Sequence, residues 1–572
     1  MKNFISVFLI SLIGLLCPSI LAQSVNFEWV TPLGKSTSAS GFGSTNDFGN
    51  AITTDALGHV YSTGFFHDTV DFDPGVGVHN LISIGLHDVF IQKLDGSGNL
   101  LWAHSIEGPL SSEGHSITIG PSGNVYVTGT FYGTVDFDPG AGVFTLTSTG
   151  NSVFIEKLDS QGNFLWAKLL DETSGYSGSF VSTDDLGYVY VTGAFNDTVD
   201  FDPGTGVFNL VSNGGRDIFV EKLDSNGYFV WAHSMGGIAD DYSTNIATDV
   251  WGNMYIIGEF EDTADFDPGA GTFHLASSSS VKDAFILKLG LNGNFVSARS
   301  MDAHCYAITA DISGNIYITG KYYGTIDFDP SAGVFNLTAG YYDAFIQKID
   351  RYENFIWAKS IGGEAQDNTV GISITTDIVG NVYITGTYDG KVDFDPGMGI
   401  FHQTANGWRA DVFIEKLDTH GNFLWVATVG GLGQNSGNSI TVDTEGNVYT
   451  TGAFEETVDF DPSSGSMILT SKSEGDVFIL KLSQSPPLRT EESPLFTNVS
   501  IFPNPNTGQV NINLDHLKNV SVKVVNAKGQ CIYQKENINT SILQLELNEA
   551  PGIYIIEIDA HGKKEYYKLV KK

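Results

Sequence analysis

Seven times this chain writes Asp-Phe-Asp-Pro, each time with two carboxylates flanking a Phe and a bend residue following. The pairs are Asp71/Asp73, Asp136/Asp138, Asp200/Asp202, Asp265/Asp267, Asp327/Asp329, Asp393/Asp395 and Asp459/Asp461, at successive intervals of 65, 64, 65, 62, 66 and 66 residues. Around each pair the text repeats as well. A stretch such as ITTDIVGNVYITG comes before it, and one such as DVFIEKLDTHGNFLWV comes after it. Apolar residues alternate along both, as in half-buried strands. The two D-x-x-G-N elements of a unit supply tight turns, where Asp bonds its own backbone and Gly accepts a positive φ. Each unit therefore reads as two hairpins with the DFDP segment between them. Four strands of this size bury no complete core alone, so neighbours must stack. Seven such sheets close radially into a seven-bladed β-propeller. The ends of the array support closure. The seventh unit stops at DVFILKLSQ without its fourth strand, and the missing strand reads as NFEWV, Asn26–Val30, at the other end. Trp29 then takes the place that Trp102, Trp166, Trp231, Trp357 and Trp425 hold elsewhere. The fold expected is all-β: a seven-bladed β-propeller closed by an N-terminal strand, followed by a small C-terminal β-sandwich.

Composition narrows the partners. The 572 residues carry 66 acidic against 29 basic side chains, a net charge of −37. Such a chain repels nucleic acids and anionic membrane surfaces and attracts cations. Residues 1–22, MKNFISVFLISLIGLLCPSILA, read as a secretory signal peptide cleaved after Ala22. No later apolar run approaches the roughly 20 residues that span a bilayer. Only Cys305 and Cys531 lie beyond the signal, so no disulfide framework is expected. The domains expected are a propeller over 23–484, a Pro- and Ser-containing linker over 485–495 and a separate unit over 496–572. In the last, nine Lys meet seven acidic residues, so the negative charge lies in the propeller.

The repeats resemble the SBBP-type β-propeller repeats of bacterial surface and secreted proteins, which carry the same order of elements with a shorter Asp-Phe-Pro segment. That resemblance implies a propeller and little about activity. The tail, with Phe502-Pro503-Asn504-Pro505, Gly508, Gly552-Ile553-Tyr554 and a Lys-rich end at Lys571 and Lys572, resembles the C-terminal sorting domain of the type IX secretion system of Bacteroidota. The resemblance implies that this translocon and its sortase are partners. It also implies that the mature protein is extracellular, anchored at the outer-membrane surface or released once the tail is removed. A monomer is expected.

Two readings compete for the DFDP pairs. In an extended segment Asp residues at i and i+2 share a side, about 7 Å apart at Cα. There all fourteen are candidate calcium ligands, although calcium wants six to eight oxygens and the repeat offers few. In the competing reading Val and Phe pack inward and the carboxylates cap the turn. Topology places all seven segments on one face with the connections between blades, and the D-x-x-G-N turns on the other. The D-x-x-G-N-x-x-W run is similar to the Asp-box of sialidases, but its spacing differs and the chain has no Arg cluster to hold a carboxylate. Trp251, Trp408 and Arg409 depart from the repeat and are candidate ligand-binding residues. No G-x-S-x-G or H-E-x-x-H occurs, and no catalytic residue is nominated. The leading expectation is a non-enzymatic surface or secreted binding and adhesion scaffold for a glycan or protein, with calcium as candidate cofactor. The alternatives are a polysaccharide-degrading or polysaccharide-modifying enzyme and a structural surface-layer spacer.

Overall fold

The computed structural model describes residues 25–34, 46–170, 179–278, 282–329, 333–363, 367–484, 499–502, 508–514, 517–526, 531–548, 552–560 and 563–571. The signal segment, the linker, Pro503, Asn504, Pro505 and Lys572 lie outside them. The described residues are all strand, turn and loop. No helix among them is long and apolar enough to cross a membrane.

Up to residue 484 the strands form seven antiparallel four-stranded sheets, numbered here along the chain. Sheet 1 is Phe48–Thr54, Val60–Phe66, Asp88–Leu94 and Leu100–Ile106, in sequence order across the sheet. The innermost strands of sheets 2 to 7 begin at Ser112, Phe180, Tyr242, His304, Thr369 and Asn435. Each innermost strand packs on the next, and that of sheet 7 packs on that of sheet 1, so the ring is closed. Sheet 7 takes its outermost strand from the N-terminus. Val25–Leu33 pairs antiparallel with Asp476–Gln484, and Trp29 is opposite Lys481 just as Trp102 is opposite Lys93 in sheet 1.

The core lies between sheets, because a twisted sheet buries both faces only against neighbours. Tyr61, Val89 and Ile91 of sheet 1 pack with Ile117, Val125 and Phe154 of sheet 2. Tyr449, Val477 and Ile479 of sheet 7 pack with Ile52, Val60 and Phe90 of sheet 1. Polar stitches run beside these clusters. On the D-x-x-G-N face the repeated Lys of one sheet donates to a carbonyl in the next sheet's turn, as Lys93 does to Ser160 at 2.9 Å. At the seam, Lys481 Nζ and Trp29 Nε1 both donate to Gly96 O, at 2.7 and 3.3 Å. Each of these lysines also lies over the buried Tyr of its own sheet, Lys93 being 4.8 Å from the Tyr61 ring centre.

One feature differs from two plain hairpins per unit. In units 1, 3, 4, 6 and 7 the DFDP segment forms a short ribbon of its own, as Thr263–Asp265 pairing with His274–Ala276 in unit 4, and in units 2 and 5 it continues the second and third strands. In units 4, 6 and 7 this ribbon also pairs with the outermost strand of the preceding sheet, as Gly236 with Asp265 and Gly362 with Asp393. The ribbon thus covers part of an edge that would otherwise stay unpaired. The Gly-Gly that closes the outermost strand is required where it meets the next element. A Cβ on Gly430 would lie 1.9 Å from the Asp411 carboxyl carbon.

The tail folds as two sheets around one core, as a small sandwich does. Ser500–Phe502, Gln509–Asn513 and Ile542–Glu546 make the first. Val520–Asn526, Cys531–Ile538, Gly552–Ala560 and Lys563–Lys571 make the second. Val522, Val524, Leu543, Leu545, Ile556 and Ile558 are buried between them.

Candidate functional site at the mouth of the central channel

The DFDP segments act first as turn chemistry. Val135 and Phe137 are buried, and Phe137 packs on Phe131 and Phe154 with ring centres 5.3 and 5.1 Å apart. Asp136 Oδ1 accepts the backbone N–H of Asp138 (3.1 Å) and of Phe144 (2.8 Å), spanning the ribbon loop. Asp138 Oδ1 accepts the N–H of Gly140 at 2.8 Å, and a Cβ on Gly142 would lie 2.0 Å from Asp138 Oδ2.

The first Asp does the same in every other unit. Asp71 accepts from Asp73 and His79, Asp200 from Asp202 and Phe208, and Asp265 from Asp267 and Phe273. Asp327 accepts from Asp329 and Phe335, Asp393 from Asp395 and Phe401, and Asp459 from Asp461 and Met467. The second Asp is engaged too. Asp73, Asp202, Asp267, Asp395 and Asp461 each accept the N–H of the residue two positions on, Asp267 from Gly269 at 2.8 Å. Asp329 joins its turn through its own backbone N–H, given to Asp327 at 3.0 Å.

Among the described residues no group of three or more acidic, His or Cys side chains is placed to hold a metal ion. Asp71, Asp73, Asp136, Asp138, Asp200, Asp202, Asp265, Asp267, Asp327, Asp329, Asp393, Asp395, Asp459 and Asp461 therefore form no metal cluster there. In each pair an oxygen of the first carboxylate is turned onto the loop's own N–H groups, which folds the loop back over the pair.

Beneath three of these loops lies a buried acid. Glu156, Glu221 and Glu415 occupy the third-strand position where sheets 1 and 5 have Gln92 and Gln347, whose amides donate to Phe72 O and Phe328 O at 2.9 and 2.6 Å. Burial, and then the charge of the overlying Asp138, Asp202 or Asp395, pushes these carboxyls well above the ordinary range.

The loops that carry DFDP and the connections between sheets share one face. His67, which follows a second strand, accordingly donates its backbone N–H to Asp47 in the connection preceding sheet 1, at 2.8 Å. At the centre of the ring the innermost strands enclose a channel of about 560 Å³. Asn50, His115, Thr244, Tyr306, Ile372 and Asn438 line it from six sheets, and Phe180 from sheet 3. Those six residues sit where the ladder slips by one residue, a β-bulge that turns the side chain out of the regular pleat. Asn50 Nδ2 donates to Gly114 O (2.9 Å) and Asn438 Nδ2 to Gly49 O (3.0 Å), so part of the lining also joins adjacent sheets.

Around the DFDP-side mouth the repeat breaks, and two clusters form. Between sheets 1 and 2, Glu113 is 2.9 Å from His87 Nε2 and 3.5 Å from His115 Nε2. Hydrogen bonds to His115 and then His87 hold the Glu113 carboxyl far below its usual range. The His67 ring lies 5.4 Å from that of His87 and 3.3 Å through Nδ1 from Asp47, whose carboxyl burial raises to about 6. Phe65 packs on His87 at 4.8 Å. Between sheets 4 and 5, Glu259 is 2.7 Å from His304 Nδ1 and accepts a hydrogen bond from Tyr242. Burial opposes its ionisation, but these bonds hold it below the ordinary value. Lys282 lies over the Tyr242 ring at 4.3 Å, and Lys321 lies over Tyr342 at 4.8 Å. The arrangement offers imidazole, carboxylate, ammonium and phenol groups at one opening.

The candidate ligand residues are not brought together. Trp251 is in a D-x-x-G-N turn, 47% exposed, with Arg351 5.1 Å from its ring. Trp408 is on the opposite, DFDP-side face, 82% exposed, with Arg409 at 4.8 Å and Arg409 in turn 3.5 Å from Glu455. In the tail Tyr554 is buried, Gly552 faces Lys571 across the ladder, and Lys571 Nζ donates to Leu547 O at 2.8 Å. Gly508, at φ 119°, gives its carbonyl to Leu547 N at 2.7 Å. The mouth residues His67, His87, Glu113, His115, Glu259, His304 and Lys321 were missed by motif reading. Their signal is departure from consensus at repeat positions that share a face.

A family described as a beta-propeller repeat matches residues 424–453, and one described as a secretion system C-terminal sorting domain matches residues 500–572. An uncharacterized WD repeat-containing protein of Acanthamoeba polyphaga mimivirus is 25% identical over 495 residues, covering 71% of this chain and 35% of that protein. The regulatory protein FlaEY of Caulobacter vibrioides is 26% identical over 197 residues, covering 34% and 20%. The chain thus spans about a third and a fifth of the length of these relatives. Among solved structures, the PQQ domain of a pyranose dehydrogenase from Coprinopsis cinerea is similar at 11% identity and a TM-score of 0.33, over 80% of this chain and 97% of that one.

Proposed function

We propose that this β-propeller, which the type IX secretion system exports to the cell surface or the extracellular space by way of residues 500–572, is a ligand-binding and adhesion protein. Its ligand, a glycan or protein, sits on the DFDP face at the mouth of the channel. One observation carries the reading. The residues that hold the ring together repeat from sheet to sheet, whereas the residues around this one opening do not, and the fold gathers them into two chemically mixed clusters. A scaffold with no ligand has no need of that difference. The test is to screen the exported protein on an oligosaccharide and protein array, then map the captured ligand by amide hydrogen exchange. Protection at 48–50, 113–115, 242–244 and 304–306 supports the site. Protection confined to the D-x-x-G-N turns places the ligand on the other face and overturns it. No capture overturns the function.

The enzyme reading has one observation in its favour, the Tyr242–Glu259–His304 chain, in which a carboxylate links a phenol and an imidazole. New reducing ends released from a captured polysaccharide, and abolished by Glu259→Gln, would replace binding with hydrolysis.

A further inference from the structure

We propose that the opening between sheets 4 and 5 binds an anionic carbohydrate, with sugar rings on a tyrosine platform of sheet 5 and the sugar's acidic groups on Lys321 and Lys282. This rests on the reading of the DFDP-side mouth as the ligand site and specifies the ligand class.

The platform is built on rigid strands. In sheet 5 the second and third strands run unbroken through the ribbon, Ile316–Asp327 and Asn336–Ile349, and Tyr323 is directly opposite Tyr342 in the ladder. Tyr341 and Tyr342 meet edge to face at 4.9 Å, Tyr323 and Tyr341 edge to face at 6.3 Å, and Tyr323 and Tyr342 tilted at 5.8 Å, so the three rings form a notched rather than flat surface. Tyr323 is 62% exposed and Tyr341 45%. Sheet 2 has the same long strands and only Tyr132 among these positions, so the geometry of the strand pair does not demand three rings. Exposed tyrosines on a rigid surface offer an apolar face and a hydroxyl at low entropic cost, which suits the C–H faces and hydroxyls of sugars.

The cations single out the charge of the ligand. The repeated lysines, Lys93 and its counterparts, are engaged on the opposite face. Lys321 and Lys282 are departures. At the position of Lys321 the other sheets carry Phe65, Thr130, Ala194, Glu259, Thr387 and Ala453. Lys321 Nζ lies 4.8 Å from the Tyr342 ring and 5.9 Å from that of Tyr306, which lines the channel. Neither lysine has an ion-pair partner among the described residues, although Lys282 lies in the field of Asp241 and Glu259. In a chain of net charge −37, two ammonium groups held against aromatic rings at an open mouth are placed to receive anions. His304, stacked parallel to Tyr306 of its own strand at 6.5 Å, reaches sheet 4 through Glu259 at 2.7 Å within the same patch.

The experiment is calorimetric titration of the exported protein with three hexasaccharide probes: oligogalacturonate, a sulfated heparin fragment and neutral cellohexaose. The expected result is binding of at least one acidic probe about tenfold or more tighter than the neutral one. Preference for oligogalacturonate identifies carboxylate as the recognised group, and preference for heparin identifies sulfate. Lys321→Gln weakens the acidic probe about tenfold and Lys321→Arg restores it, while Tyr341→Ala weakens every probe that binds. All three variants alter exposed or half-exposed side chains, and an unchanged unfolding midpoint verifies the fold. Equal affinity for neutral and acidic probes, or indifference to Lys321→Gln, overturns the inference. If cellohexaose is held through Tyr341 regardless of Lys321, the mouth remains the binding site and only the anionic class fails. If none of the probes binds while an array ligand is protected at the mouth, the carbohydrate class fails and the site stands.

Discussion

Asp393 accepts two backbone N–H groups through one oxygen, from Asp395 at 3.1 Å and Phe401 at 2.8 Å. Its charge and its acceptor geometry are therefore separable. Asp393→Asn keeps an oxygen for both donors and is expected to lower stability by less than about 1 kcal/mol, whereas Asp393→Ala hands both donors to water and costs about 1–3 kcal/mol, the net worth of two hydrogen bonds. Urea unfolding of the two variants measures the difference. If the segment instead clasps calcium, Asn abolishes a calcium-dependent rise in the midpoint that the parent shows. The buried acids make a second test. A neutral Glu221 has an O–H to give to the carbonyl that the amides of Gln92 and Gln347 serve in their own sheets. Its carboxyl is raised in the fold above the ordinary 4.5, so the native state keeps a proton that the unfolded chain releases. Stability from this source is complete below the unfolded value and is lost as pH rises through the folded one. Glu221→Gln is expected to match the parent near pH 4 and to exceed its unfolding free energy by about 1 kcal/mol or more at pH 8, read from urea midpoints at both pH values.

The N-terminal strand is the element on which the ring depends. Without Val25–Leu33, the third strand of sheet 7 becomes an open edge and Gly96 loses its Trp29 donor. Deleting residues 25–33 is expected to broaden the calorimetric transition and lower its midpoint. Trp29→Ala alone should cost toward the lower end of the ~3–5 kcal/mol seen for buried aromatics. An unchanged transition would mean the ring is held without its latch. This strand was legible because NFEWV supplies what DVFILKLSQ lacks, and Trp29 falls into register with the other tryptophans. The ribbon was not. Gly236 and Asp265 meet only because successive sheets stand side by side, and nothing in either local sequence declares a strand three residues long.

At the scale of the molecule, a net charge of −37 pushes the ring apart, and the repulsion is screened by any salt. The unfolding midpoint is expected to rise between about 10 and 150 mM sodium chloride. A response to calcium far beyond that to sodium at matched ionic strength would instead point to a specific site. This scale also explains what the sequence conceals about the mouth. His67 and His87 flank paired strands of sheet 1 and Glu113 joins them from the first strand of sheet 2, yet each alone looks like ordinary surface variation. Laying the seven units in register shows them as departures on one face, but which departures touch is set by strand pairing and by how one sheet stacks on the next.

Closure has a further consequence for how the protein is made. The strand bearing Trp29 is made long before its partner, which is complete only at Gln484, and the sorting-domain match begins at residue 500. A chain cut short anywhere in the seven units has neither a finished ring nor an address. Completion of the ring and access to the type IX route are therefore written into the same stretch of translation, and a copy that stops within the seven units lacks the sorting domain whatever its N-terminal signal does.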